Sequence, residues 1–228
     1  MTARVVGILI LGAFLAYGLG SALATSVASA PDYVSSISTN SLFTAGGVLM
    51  LLNSAIVFGI GVLMFPILRP HNKNIALGYF STRIFEGTFL TVGAISLLSL
   101  VTVSKESARL GAPDSSYFEA LGALAINGNL LAYHVAMAGL CFGSLFFCYL
   151  LFRSRLVPRF LAAWGFIGYA VFLAGAVLGI LGFVGVGVIL AVPGGLFEVF
   201  FGIWLIVKGF NPSAFAAVPA KTAGVLVP

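Results

Sequence analysis

Runs of about twenty apolar residues follow one another along this chain. Each is long enough to carry a helix across a hydrocarbon core of about 30 Å. Six can be marked off: roughly 4–24, 42–68, 75–102, 129–152, 160–183 and 187–208. A membrane barrel would instead show alternating strands of about ten residues, and no such alternation is present. Only 7% of the 228 residues are charged, against about 25% in a soluble domain, so a water-facing surface cannot be assembled. The fold class is therefore all-α: a polytopic membrane bundle of six transmembrane helices. It forms one domain over residues 1–211.

Charge placement orients the bundle. Arg4, Arg69, Lys73, Arg153, Arg155, Arg159, Lys208 and Lys221 flank the runs on a single side, eight of the 11 basic residues. Asp32, Glu106, Asp114 and Glu119 fall on the other. Basic loops stay in the cytoplasm, which predicts that both termini are cytoplasmic. The net charge of +5 is thus a topological signal. Its scatter over short loops gives no basic face, and nucleic acid is not an expected partner; membrane lipid is.

The first run has the basic start and small-residue end of a signal peptide, but it exceeds the usual core of about 7–15 residues. It is expected to stay as a helix. The one long connection, about 103–128, lies outside. Within it Ser116-Tyr117-Phe118-Glu119 has the spacing of a capping box, predicting a short helix on the outer surface. Residues 212–228 read as a flexible cytoplasmic tail.

Gly139 with Gly143, and Gly175 with Gly179, have the four-residue spacing that lets helices approach in lipid. Cys141 and Cys148 stand about 10 Å apart along one helix, too far for a disulfide, and read as buried thiols. No G-x-S-x-G elbow, Walker loop or metal-binding helix occurs, and neither metal nor cofactor is expected.

Against this apolar background, "STRIFEGTFL" (residues 81–90) places Arg83 and Glu86 one turn apart inside the third run. Counting the helical rise from the basic side puts Glu86 about 16 Å deep and Glu198, in the sixth run, about 15 Å. Arg83 is about 12 Å deep and Asn53 about 21 Å. Charges at such depth cost at least about 2.5–3.5 kcal/mol, so these side chains should face the interior and find partners. Arg83 is the expected partner of both acids. One positive charge cannot neutralise two carboxylates, so one of them is expected to hold a proton.

Pro193-Gly194-Gly195 precedes Glu198, and a helix restarting there would give Glu198 the dipole of a new N-terminus. "IFEGTF" (84–89) and "LFEVFF" (196–201) also echo each other, each closing one half of a three-plus-three arrangement. His134, beside Tyr133 and Asn129, is a further polar candidate.

The candidate site is accordingly Glu86 and Glu198 as an acid/base pair, with Arg83, Asn53 and His134 as ligand-binding residues. Three functions fit it. The site binds a lipophilic or amphiphilic small molecule; or it is an intramembrane acid–base enzyme acting on a lipid-soluble substrate, in the manner of a terpene cyclase; or it belongs to a proton-coupled transporter or a purely structural protein.

Three segments, "HNKNIALGYFSTRIFEG", "YLLFRSRLVPRFLAAWGFIGY" and "VPGGLFEVFFGIWLIVKGFN", in that order, resemble the bacterial membrane proteins grouped as domain of unknown function 4386. The resemblance covers roughly residues 4–211. It implies a small multi-pass protein of the bacterial inner membrane and brings no activity, substrate or catalytic residue with it.

Overall fold

The computed structural model describes residues 1–111 and 115–216; Asp114, Lys221 and most of the expected tail lie outside them. Helices α1 (Thr2–Ala28), α2 (Tyr33–Ser36), α3 (Ser41–Leu68), α4 (Lys73–Leu98), α5 (Leu100–Arg109), α6 (Ser115–Ser154), α7 (Arg159–Ile180), α8 (Val184–Val207) and α9 (Pro212–Ala216) follow in order. A 3-10 turn, Ile37–Thr39, joins α2 to α3. Six helical segments are long and apolar enough to cross a membrane: α1, α3, α4 continued by α5, α6, α7 and α8. Without water to satisfy backbone groups, such segments have little alternative to the helix.

Local chemistry sets where they start and stop. Asn40 Oδ1 accepts from the backbone N–H of Leu42 and Phe43, capping α3. Asn72 Oδ1 does the same for Asn74 and Ile75 at α4. Gly182 takes φ +94° to end α7, a conformation a side chain would resist.

The spans form a closed ring in chain order. α1 packs on α3, α3 on α4, α4 on α6, α6 on α7, α7 on α8, and α8 returns to α1. Contacts gather the helix ends into two groups. At the basic end Ala3 approaches Gly209, the His71 ring lies 5.8 Å from that of Phe215, and Asn211 N–H donates to Leu156 O. At the other end Tyr33 Oη donates to Glu119 O, and Ser38 N–H to Ser104 Oγ. A main apolar core runs through the bundle from Val6 and Ile60 to Phe197 and Leu205. A second, around Ile37, Phe43 and Leu97, closes the acidic end.

Two elements differ from expectation. The capping-box segment is not a separate surface helix: α6 begins at Ser115 rather than near 129 and runs unbroken to Ser154. Isolated glycines such as Gly122 and Gly128 cost a helix about 1 kcal/mol each but remove no hydrogen bond. Neighbours fill the space they leave, the Tyr33 ring at Gly122 and Ser96 at Gly128. Likewise α8 does not restart at Pro193 but is one helix from Val184 to Val207. Proline there forfeits one hydrogen bond, while Gly194 seats against Gly168 and Phe172 of α7 and holds the helix on course. Glu198 therefore sits in mid-helix with no terminal dipole. In the expected tail, residues 212–216 are helical as α9, with Ala214 buried.

Helix spacing depends on small residues. A Cβ on Gly20 would lie 2.7 Å from Gly46 O, and one on Gly46 would lie 2.6 Å from Gly20 O. Gly139 and Gly143 admit Phe85 and Thr82 of α4, and Gly175 admits the backbone of Gly187. Cys141 and Cys148 are buried free thiols.

Substituting Gly46→Val should force α1 and α3 apart and lower stability by about 1–3 kcal/mol, read as a lower melting temperature in detergent. Gly12→Ala, where an added Cβ meets nothing within 4 Å, should hold or slightly raise the melt; an equal fall would refute this account of the spacing. At the α3–α4 turn, burial holds the His71 imidazole below its ordinary value of 6.5. The folded chain thus favours the neutral ring, and the stability this contributes is present above pH 6.5 and lost as pH falls through the lowered value. Melting temperature should drop on acidification, and less so in His71→Gln.

Candidate functional site

The inner face of α4 carries Tyr79, Arg83 and Glu86 at intervals of four and three, which stacks them along one side of the helix. All three are buried, at 2%, 5% and 4% exposure. Arg83 Nη1 donates to Glu86 Oε2 at 2.9 Å, and Arg83 Nε donates to Tyr79 Oη at 2.9 Å. Tyr79 in turn stacks on Phe147 of α6, ring centroids 4.4 Å apart. The Arg83 stem lies against α3 where Gly61 has no side chain: a Cβ there would stand 2.9 Å from Arg83 Cβ. The guanidinium is thus held by its own helix, with α3 against its stem and α6 behind Tyr79.

Glu198 is held differently. Tyr169 of α7, 1% exposed, donates its hydroxyl to Glu198 Oε1 on α8. Two ion pairs occur among the described residues, the buried Arg83–Glu86 and the exposed Arg109–Glu106, and neither involves Glu198. Arg83 is therefore not the shared partner of both acids: Glu86 takes it, and Glu198 has a phenol. The reason is rotational, since Glu86 lies one turn from Arg83 whereas Glu198 lies on a helix on the far side of the ring.

Both units open onto one cavity of about 290 Å³ in the middle of the bundle, lined from all six spans. Arg83, Glu86, Asn53, Glu198, Tyr17 and Tyr133 supply its polar groups. Leu90, Met137, Leu140 and Phe172 supply much of the apolar wall. Tyr17 and Tyr133 stack, with centroids 5.4 Å apart. Asn53 is 3% exposed and makes no side-chain hydrogen bond among the described residues. Its amide is not among the sealed, unpartnered polar atoms of the bundle, so it is open to whatever fills the cavity.

The cavity reaches the outer surface of the bundle at one seam. Among its lining residues the exposed ones are Phe14 and Gly18 of α1 and Val188 and Val192 of α8. Near the basic end the same two helices touch, and a Cβ on Gly7 would lie 2.5 Å from Gly202 O. Further along they separate: at Gly195 the nearest atom to an added Cβ is 3.9 Å away, on Phe14, and at Gly18 nothing lies within 4 Å.

Of the sequence candidates, Arg83, Glu86, Asn53 and Glu198 meet at this cavity. His134 does not. Its ring occupies the space left by Gly179 at the α6–α7 contact, where its Nε2 is buried without a partner. Tyr79, Tyr169, Tyr17 and Tyr133 complete the constellation without having been singled out. Tyr79 had a readable signal, four residues before Arg83. Tyr169 had none, because its partner is on another helix.

The family model for "Domain of unknown function (DUF4386)" matches residues 5–209, and the chain belongs to that family. No curated protein and no solved structure matches it.

Removing the cation should expose what the clamp does. Arg83→Met leaves Glu86 buried and unpaired, and such a change costs about 3–5 kcal/mol. Folded protein in detergent should fall sharply, and the double change Arg83→Met/Glu86→Gln should recover much of it. Wild-type stability in the single variant would show that the pair does not tie the bundle together.

Proposed function

We propose that this chain is a multi-pass protein of the bacterial inner membrane, both termini in the cytoplasm, whose cavity binds a lipophilic or amphiphilic small molecule. Orientation follows from Arg4, Arg69, Lys73, Arg153, Arg155, Arg159 and Lys208, which flank the spans at one end, and from the cytoplasmic retention of basic loops. The observation that carries the binding reading is Asn53. Asn53 is almost wholly enclosed as a residue, its amide makes no bond to described residues, and it is open to a cavity whose mouth lies between two lipid-exposed helices. Polar groups left unmet at the centre of an apolar cavity are what orients a ligand. Asn53, Arg83, Tyr17 and Tyr133 all offer donors, so the fitting molecule has oxygen acceptors at its inner end and a hydrocarbon part toward the seam.

A second reading has its own support. Glu86 and Glu198 line the same cavity, and aromatic walls from Tyr17, Tyr133 and Phe172 surround them. Two carboxylates and aromatic faces suit acid–base chemistry through a carbocation, which π-faces stabilise. A proton-coupled transporter would use the same pair.

The readings separate in one experiment. Full-length protein is purified in mild detergent, and its organic extract is compared by mass spectrometry with those of Asn53→Leu, Gly18→Leu and Glu198→Gln. Binding predicts a lipophilic compound retained by the wild type and lost from Asn53→Leu and Gly18→Leu, with melting temperature maintained in Gly18→Leu. An enzyme predicts a different compound in Glu198→Gln, its substrate in place of product. A transporter predicts uptake into liposomes that depends on a pH gradient. An extract from the wild type no different from that of Gly18→Leu would dismiss the binding reading.

A further inference from the structure

A second cavity, about 350 Å³, lies at the basic end, between the α6–α7 turn and the turn that follows α8. Arg155, Arg159 and Lys208 line it, and no acidic residue does. None of the three is in an ion pair among the described residues. The Arg159 guanidinium carbon stands 5.1 Å from the Phe152 ring centroid, and no hydrogen bond to a described residue engages its donors.

The rim is built with some strain. Arg155 has φ +55°, the one positive value among described non-glycine residues, and Gly209 takes +71° across from it. A side chain in that region costs about 1–3 kcal/mol and persists only where its surroundings impose it. Asn211 imposes it here: its amide donates to Arg155 O at 3.3 Å, and its backbone N–H donates to Leu156 O at 2.9 Å. The strained turn directs a third cation to the same opening. α7 starts beside it at Arg159 with no side-chain cap, so its first backbone N–H groups add to the positive field. Apart from Asn211 the rest of the wall is apolar, including Val157, Trp204 and Phe210, and it sits where two membrane-spanning helices end.

We propose that this cavity is a binding site for the phosphodiester headgroup of an anionic phospholipid, with Arg155, Arg159 and Lys208 on the phosphate and Trp204 against the glycerol and first acyl carbons. Basic pockets between spans at the membrane surface take such headgroups. The apolar wall favours a lipid over a free phosphate ester, which would leave Trp204 and Phe210 uncovered. The site is independent of the central cavity.

The test uses the full chain in neutral detergent, titrated separately with phosphatidylglycerol, phosphatidylcholine and glycerophosphate, with melting temperature and lipid retained in native mass spectrometry as readouts. Phosphatidylglycerol alone should raise the melt and remain bound. Apparent affinity should fall about fivefold for each cation removed, through Arg155→Gln, Arg159→Gln and Lys208→Gln. Arg69→Gln/Lys73→Gln, on the same end but outside the cavity, should keep the wild-type affinity. Equal loss in that control would reduce the effect to general surface charge and overturn the site. An equal shift with glycerophosphate would overturn the lipid in favour of a soluble phosphate ester. The wild-type comparison of phosphatidylglycerol with phosphatidylcholine decides the lipid class however the variants fold, and indifference to headgroup charge overturns the proposal.

Discussion

Inside a hydrocarbon layer, burying one apolar helix against another removes no apolar surface from water, so helix association must draw on close packing and hydrogen bonds. The bundle meets this constraint with contacts in which one backbone touches the next: Gly20 with Gly46, Gly7 with Gly202, Gly168 with Gly194, Gly175 with Gly187. These contacts set the ring's circumference. Where they give way, between α1 and α8 beyond Gly7 and Gly202, the wall parts and the central cavity reaches the lipid-facing surface. The mouth is thus the place where the packing rule that governs the rest of the ring is suspended.

The polar cluster exploits the ring's order. In a closed ring of six spans, the third and the sixth stand opposite each other, and these are α4 with Glu86 and α8 with Glu198. Each acid is supported on its own side, by Arg83 and Tyr79 for one and by Tyr169 for the other. Neither wall depends on the other for its hydrogen bonds, so a molecule between them displaces no bond that holds the bundle together. The charged groups are both a clasp within each wall and a lining for the space between.

Depth along a span is legible in a sequence because helical rise is constant, and counting alone puts Arg83, Glu86, Glu198 and Asn53 within one slab. Rotation about the helix axis is less legible in a chain apolar all round. Hence the pairing of Glu198 with Tyr169 rather than Arg83, and the turning of His134 into the α6–α7 contact, needed coordinates. Punctuation residues misled in two places. Ser116-Tyr117-Phe118-Glu119 reads as the opening of a short separate helix and Pro193-Gly194-Gly195 as a break, yet α6 and α8 run on unbroken because neighbouring side chains and backbones occupy what the glycines leave open. Asn72, by contrast, caps α4 through bonds made within three residues, the kind of local chemistry that can be read along the chain.

The seam at the cavity mouth is formed by the first and last of the six spans. During synthesis, the first five can assemble only an open arc, with Asn53 and the Arg83–Glu86 pair on its concave side facing lipid. Tyr169 is already in place on α7 when α8 brings Glu198 to it. The chamber is complete only once α8 is in place, because that helix supplies both Glu198 and one side of the mouth.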